Sequence, residues 1–295
     1  YAIYSTAWWL GWYIAPLRTW AYWGLKKKTD WMDRYFKEKY SNIIEKYLNQ
    51  EDIEEECDEY NIWVFWAQGE DNMPELVKAC YKNLCKMNGD CVKLLTMDNL
   101  GDYVELPGYV FDKLKRGTMT YTHFSDILRV SLLAKYGGMW VDSTCWVAKR
   151  VPKDVKNMSF WSCKTANANI PLWSNSRWCG WSMGTSKKNK KLFCFILEML
   201  LLHAKDMECL IDYLLLDYLL LFSCNLFESS ILSVEENNVN RGIFWAYMNE
   251  KYDKDKYQEL SKNTWIFKLS YKTILNKKTV DGLDTFYGKL IGGEL

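Results

Sequence analysis

The sequence predicts an α/β domain, on three observations. Residues 61–69, NIWVFWAQG, are a short run rich in β-branched and aromatic side chains, stopped by Gly69, and read as a strand. A helical pattern follows from about Pro74, with Val77, Cys80, Leu84 and Met87 recurring on one face. Residues 91–97, CVKLLTM, read as the next strand. A strand, a helix and a strand in that order imply parallel pairing, which belongs to α/β architecture. No GxGxxG or P-loop occurs, so the common dinucleotide and ATP fingerprints are absent.

The remaining elements follow from pattern. Residues 31–60 carry Tyr35, Phe36, Ile43, Ile44, Tyr47 and Leu48 at helical spacing and end in an acidic cluster at 51–59, read as a solvated face or loop. Residues 1–60 are thus expected to form an N-terminal extension and residues 61–295 the main domain. A helix is predicted from about Tyr121 to Lys135, ended by Gly137 and Gly138, which tolerate positive φ. Met139, Trp140 and Val141 then read as a buried strand that delivers Asp142 at its C-terminal end. Ligands of open α/β sheets bind just beyond the carboxyl ends of strands, so Asp142 stands where a functional carboxylate is expected. Further strands are predicted at 145–151, 158–163 and 178–183, and Leu-rich helices at 187–204 and 207–222. Glu198, His203, Asp206, Glu208, Asp212 and Asp217 interrupt those two helices, which argues against membrane spans.

Composition excludes several function classes. With 38 basic and 37 acidic residues the net charge is +1, so no global field draws nucleic acid or an acidic polymer. The ten cysteines contain no CxxC pair and no zinc-like spacing with the two histidines; buried free thiols in a reducing, cytoplasmic setting are expected. Residues 1–25 hold Trp8, Trp9, Trp12, Trp20 and Trp23 with Arg18 as the one charge, then run into Lys26, Lys27 and Lys28. Two readings stand: a peripheral anchor at a membrane surface, or an arm packed on the domain. Gly11 and Pro16 argue against a spanning helix, and there is no signal-peptide pattern.

The chemistry concentrates in residues 123–144, HFSDILRVSLLAKYGGMWVDST. Asp126 and Arg129 are three apart and share one side of the predicted helix, while Phe124, Ile127, Leu128 and Ser131 line the other. Charges on a helix this apolar must be paired or must meet a ligand. One reading is an internal ion pair. The other is hydrogen bonding to sugar hydroxyls or phosphate, which suits a carboxylate acceptor and a five-donor guanidinium. On that second reading both side chains serve activity and not the fold. His123 and His203, each among apolar neighbours, read as structural.

The runs SDILR and YGGMWVD, together with IWVFWAQGEDNMPELVKAC, WCGWSMGTSKKNK and LIDYLLLDYLL, resemble GT-A sugar transferases of the capsular polysaccharide synthesis family. More distantly they are similar to initiating mannosyltransferases and clostridial glucosylating toxins. The resemblance covers about residues 61–222. It implies a GT-A-like, Rossmann-type nucleotide-sugar-binding domain with added N-terminal and C-terminal helices. It also implies hexose transfer with retention from a nucleotide sugar, a UDP-sugar favoured, to a surface or capsular polysaccharide or its lipid-linked precursor, at the inner face of the membrane. By the same resemblance Phe65 and Trp66 lie beside the base with Gln68 and Gly69 close by, and Asp126 and Arg129 hold the donor sugar. Trp140 and Ser143 adjoin the donor, and Asp142 contacts ribose or sugar and, with Thr144, helps place Mn²⁺ or Mg²⁺.

One position departs from the family pattern. Thr144 replaces the second Asp of DxD, giving D-S-T, and a hydroxyl is a far weaker ligand for a hard cation than a carboxylate. The ion is then expected to rest on Asp142, the diphosphate and a later carboxylate, Asp281 or Asp284, or to be dispensable. Thr144 also keeps open a catalytically silent sugar-binding or scaffold protein. A toxin-like effector that glycosylates a protein is the third reading.

Overall fold

The computed structural model describes residues 1–166, 170–227 and 230–295. Three helices open the chain: α1 (Ala2–Tyr13), α2 (Arg18–Lys39) and α3 (Ser41–Asn49). α1 and α2 form a hairpin turned through the 3-10 segment Ala15–Leu17, which contains Pro16. Gly24 lets the two backbones approach, since a Cβ there would stand 2.7 Å from the Trp8 amide nitrogen. Among the described residues no helix is long and apolar enough to cross a membrane.

The hairpin packs on the domain through one face. Lys28 is buried, pairs with Asp212 at 2.6 Å and lies over the rings of Trp8 and Trp173; the Tyr1 hydroxyl donates to the same carboxylate. The opposite face leaves Trp9, Trp20 and Trp23 about half exposed. Further on, Met32, Phe36, Tyr40, Ile44 and Tyr47 recur at helical spacing and enter the main core beside Phe195, Tyr218 and Phe222.

The acidic stretch is solvated as expected, with Glu55, Glu56 and Asp58 exposed, but it is not irregular throughout. Its residues Glu55–Glu56 form β1, which pairs antiparallel with β8 (Lys187–Lys188). Lys187 meets Glu56 at 2.5 Å, Lys188 meets Asp58 at 3.0 Å and Lys190 meets Glu54 at 3.3 Å. Opposite charges about 130 residues apart thus flank the pairing, a relation that no local pattern reveals.

The central sheet has the order β3-β2-β4-β7-β6 and is mixed. β2 (Ile62–Phe65), β3 (Val92–Leu95) and β4 (Gly138–Val141) run parallel, β7 (Ser182–Thr185) runs antiparallel to β4, and β6 (Trp161–Ser162) runs antiparallel to β7 and so in the direction of the first three. Side chains alternate between two buried faces. Trp63, Phe65 and Trp140 enter the larger core, and Ile62, Val64, Met139 and Val141 the smaller one. α6 (Tyr121–Tyr136) and α8 (Lys191–Asp206) cover the first face, and α4 (Glu75–Asn88) lies on the second. α5 (Gly108–Arg116), α7 (Lys153–Lys156), α9 (Leu215–Leu226), α10 (Ser230–Ser233), α11 (Lys254–Ser261) and α12 (Phe286–Ile291) complete the helices.

Several expected elements are shorter than their patterns. The strand read at 145–151 is only β5 (Cys145–Val147), which leaves the central sheet and pairs antiparallel with β9 (Ile266–Lys268). The amides of Val147 and Val151 are taken by the side chains of Asn83 and Asn88 on α4, on the side away from β9, to which Ala148 still donates at the Trp265 carbonyl. The strand read at 178–183 starts only at Ser182, because Ser182 N–H closes a turn onto the Cys179 carbonyl. The helix read at 207–222 starts at Leu215: the Ile211 amide donates to His203 Nε2 and the Leu214 amide to Asp212, so side chains replace helical acceptors. None of the ten cysteines is joined in a disulfide.

β4 depends on Gly138, whose φ is +82° and whose Cα faces the Asn61 carbonyl so closely that a Cβ would overlap it. Gly138→Ala is expected to cost about 2–4 kcal/mol, from left-handed strain plus overpacking. Urea unfolding checks this; a loss below about 0.5 kcal/mol, the range of inert substitutions, would refute the close approach.

Candidate active site

The site is built where α6, β4 and β9 converge. The Thr120 side chain caps α6 by accepting from the His123 amide at 3.3 Å, and Gly137 ends the helix at φ +67°. Between these ends Arg129 sits 5% exposed. Its Nη1 donates to Asp126 Oδ1 at 2.6 Å and its Nη2 to Asp142 Oδ1 at 3.2 Å, with the guanidinium 4.9 Å from the Trp140 ring centre. Trp140 Nε1 donates to the same Asp142 oxygen at 2.9 Å. Asp142 itself is fixed as β4 ends, its amide donating to the Trp181 carbonyl at 2.9 Å.

The other Asp142 oxygen meets a residue from far along the chain. Lys268 Nζ donates to Asp142 Oδ2 at 2.6 Å and to Thr144 Oγ1 at 2.8 Å. β9 brings it there, since Lys268 is the register partner of Cys145, the residue after Thr144.

These groups floor a cleft of about 1140 Å³ whose lining includes Phe65, Trp66, Gln68, Trp140, Ser143 and Thr144 as well as Asp126, Arg129 and Asp142. The strand ends and the α6 charges named from sequence thus share one cavity. Gly69 does not line it; at φ +80° it turns the chain into the 3-10 segment Glu70–Asn72. Asp281 and Asp284 do not line it either, and Asp284 pairs with Lys278 at 2.7 Å and Lys289 at 3.4 Å. His123 lies outside it, edge-on to Tyr213 at 5.6 Å. His203 is fully buried against Phe36, and burial lowers its pKa to about 4.

Sequence reading missed several lining residues: Asp217 on α9, Trp181, Arg241, Lys268, Tyr271 and Lys272. Two had a legible signal. Asp217 is a charge within a Leu-rich helix, and Lys268 ends the apolar run WIFK as Asp142 ends MWVD. The others lie on connecting segments with no such pattern.

The two readings of Asp126 and Arg129 coincide, for the pair is internal and also lines the cleft. Arg129 serves the fold as well, being the shared partner of two carboxylates. The three acids differ in environment. Burial pushes Asp126 up to about 7, with Arg129 opposing, and pushes Asp217 up to about 6, with the Trp178 indole donating to it at 2.7 Å. Burial would also raise Asp142, but Lys268 and Arg129 outweigh it and hold its carboxyl below the usual range. Burial disfavours the Lys268 charge, but Asp142 outweighs it and raises the ammonium pKa.

The D-S-T segment does not fit a divalent cation. Asp142 has Arg129 and Trp140 on one oxygen and Lys268 on the other, and the Thr144 hydroxyl also accepts from Lys268. Among the described residues no three His, Cys, Asp or Glu side chains are grouped to hold an ion.

Residues 23–290 match the family model described as capsular polysaccharide synthesis protein. The chain is 30% identical over 94 residues to O-glycosyltransferase PaGT of Phomopsis amygdali, covering 28% of this chain and 23% of that protein. It is 28% identical over 101 residues to O-glycosyltransferase braB of Annulohypoxylon truncatum, covering 31% and 24%. The chain thus spans about a quarter of the length of these curated relatives. Among solved structures it is similar to PaToxG Glycosyltransferase, with TM-score 0.40 and 13% identity over 79% of this chain and 95% of that one. With a family match running through both cores and the whole cleft, the chain belongs to the capsular polysaccharide synthesis protein family.

Proposed function

We propose that this chain is a GT-A-type glycosyltransferase that moves a hexose from a nucleotide sugar, a UDP-sugar, to a surface polysaccharide or its lipid-linked precursor with retention. The observation that carries this reading is Arg129 held between Asp126 and Asp142 beside Trp140, at the carboxyl end of a parallel strand and open to a large cleft.

In this reading the base lies near Phe65, Trp66 and Gln68, where Tyr271 stands edge-on to Trp66 at 5.9 Å. Asp126 accepts from donor-sugar hydroxyls, Arg129 donates to sugar or phosphate, and Ser143 with the Trp140 indole shapes the wall beside them. The acceptor hydroxyl attacks the anomeric carbon from the face that the diphosphate leaves. Charge that develops on the departing oxygen is offset by the cleft's cations, which need no reorganisation because the Asp network already orients them. The exposed Trp9, Trp20 and Trp23, with Lys26 and Lys27 behind them, support contact of the hairpin with a membrane surface, where a lipid-linked acceptor would lie.

Thermal stabilisation by UDP-, GDP- and CMP-sugars tests the donor class, because a ligand bound only by the folded state raises its apparent stability. A rise in melting temperature with one of them, followed by sugar release, is expected. Binding with no turnover would instead support the silent sugar-binding reading, and no binding to any would refute a nucleotide-sugar site.

Asp142→Asn keeps the shape of the site and is expected to lower kcat about 10²–10³-fold. Arg129→Ala is expected to cost about 3–5 kcal/mol in urea unfolding as well, because it leaves the partly buried Asp126 without its cation and Asp142 with Lys268 alone. A fully stable Arg129→Ala chain would show that the pairing contributes nothing to the fold.

The pH dependence has a definite sign. A carboxyl whose pKa is raised on folding holds a proton that the unfolded chain has already released. Asp126 and Asp217 therefore make stability fall as pH rises from about 4 toward 6–7. Activity runs the other way, since a carboxylate acceptor must be ionised, so kcat/KM should climb through about pH 6–7. Urea midpoints and rates measured from pH 5 to 8 check both slopes, and Asp126→Asn should flatten both.

A further inference from the structure

We propose that Lys268 takes the place of a divalent cation at the D-S-T segment, so that the chain's own ammonium group neutralises the donor diphosphate and binding needs no metal. This rests on the nucleotide-sugar reading above, and it starts from the two side chains that should hold an ion. Asp142 and Thr144 are the outer positions of D-S-T, and Lys268 Nζ lies 2.6 Å from one and 2.8 Å from the other. Mg²⁺ asks for oxygen ligands at about 2.0–2.1 Å. An ion that took Asp142 Oδ2 and Thr144 Oγ1 would have to sit where the ammonium now is.

Charge balance makes the same point. Two carboxylates with a divalent ion sum to zero, and so do one carboxylate with one ammonium. Thr144 in place of Asp is therefore matched by Lys268 in place of the ion, and each change alone would leave an uncompensated charge in a partly buried site. The threonine hydroxyl keeps the acceptor geometry and drops only the charge.

The lysine is delivered by construction and not by chance contact. In the β5–β9 ladder Lys268 is opposite Cys145, its amide donates to the Arg241 carbonyl at 2.8 Å, and the next amide, Leu269, donates to the Thr144 carbonyl at 3.0 Å. β9 is thus tied to the D-S-T backbone on one side and to the Arg241 segment on the other. The Lys268 side chain is 31% exposed and lines the cleft together with Arg241 and Lys272. Asp142 and Thr144 use two of its three donors, which leaves one for a phosphate oxygen.

The test combines Mn²⁺ uptake, read from the free-ion electron paramagnetic resonance signal, with UDP and GDP affinity measured in EDTA and in Mn²⁺. Wild-type chain is expected to take up no Mn²⁺ and to bind UDP or GDP equally well in both buffers. Lys268→Met, which keeps the aliphatic stem, should weaken that binding about thirtyfold or more in EDTA, while Lys268→Arg should stay within a few-fold. The double variant Lys268→Met with Thr144→Asp should gain one Mn²⁺ per chain and become metal-dependent. One Mn²⁺ per wild-type chain, nucleotide binding that requires Mn²⁺, or unchanged affinity in Lys268→Met would each overturn the proposal, and the first two hold even if a variant fails to fold. Failure of both nucleotides in both buffers refutes the donor reading instead. Mn²⁺ uptake then still decides the lysine: none by wild type and one by the double variant upholds its place at the ion position.

Discussion

One carboxylate organises this molecule. Asp142 accepts from Arg129 and Trp140 on one oxygen and from Lys268 on the other, and these donors come from a helix, a strand and a distant C-terminal strand. Isolated in a protein interior, each of these charges would be strongly disfavoured, and their mutual pairing is what permits all of them to stay ionised there. The main core and the C-terminal segment therefore meet through a polar contact as well as through packing. Trp140 belongs to the large core, while Phe267, the residue before Lys268, belongs to a third cluster with Trp146, Phe244 and Phe286.

That arrangement imposes demands on local structure. β4 must deliver Asp142 at a fixed height, which Gly138 makes possible through its approach to Asn61. β5 must then turn away from the central sheet so that Thr144 and Cys145 face β9 and not β2. Asn83 and Asn88 on α4 enforce the turn by occupying amides that another strand would use. The site is consequently assembled from segments more than 120 residues apart, held in register by backbone ladders on both sides of the D-S-T segment.

Legibility in the sequence followed locality. β2, α4, β3, α6 and β4 are readable because each carries its own period, and the parallel pairing of β2 with β3 follows from the helix between them. Asp126, Arg129 and Asp142 could be located since charge stands out against an apolar helix or closes an apolar strand. Partnership was not readable. The acidic run at 51–59 is solvated, but its strand pairing is not legible because its basic partners lie near residue 188, and no local pattern shows that Lys278 and Lys289 hold Asp284. The late start of α9 escaped for the same reason, since His203 and Asp212 supply acceptors that no periodicity encodes. β6 and β7 are readable as strands, but the reversal of β7 between β4 and β6 is not.

The three cleft acids show why partnership matters more than residue type. Asp126, Asp142 and Asp217 are all aspartates in one low-dielectric site, yet burial dominates at Asp126 and Asp217 and raises them, whereas two cations dominate at Asp142 and lower it. Environments that drive like groups apart assign them different work. Asp142 remains an anion across the neutral range and is suited to hold cations in place. Asp126 and Asp217 sit near the pH at which they change charge and are suited to exchange a proton or a hydrogen bond with what enters the cleft. Were Lys268 absent, Asp142 would lose one of its two cations and move toward the behaviour of the other two. The identity of the residue at the end of β9 thus decides which of the three carboxylates is the fixed charge of the site.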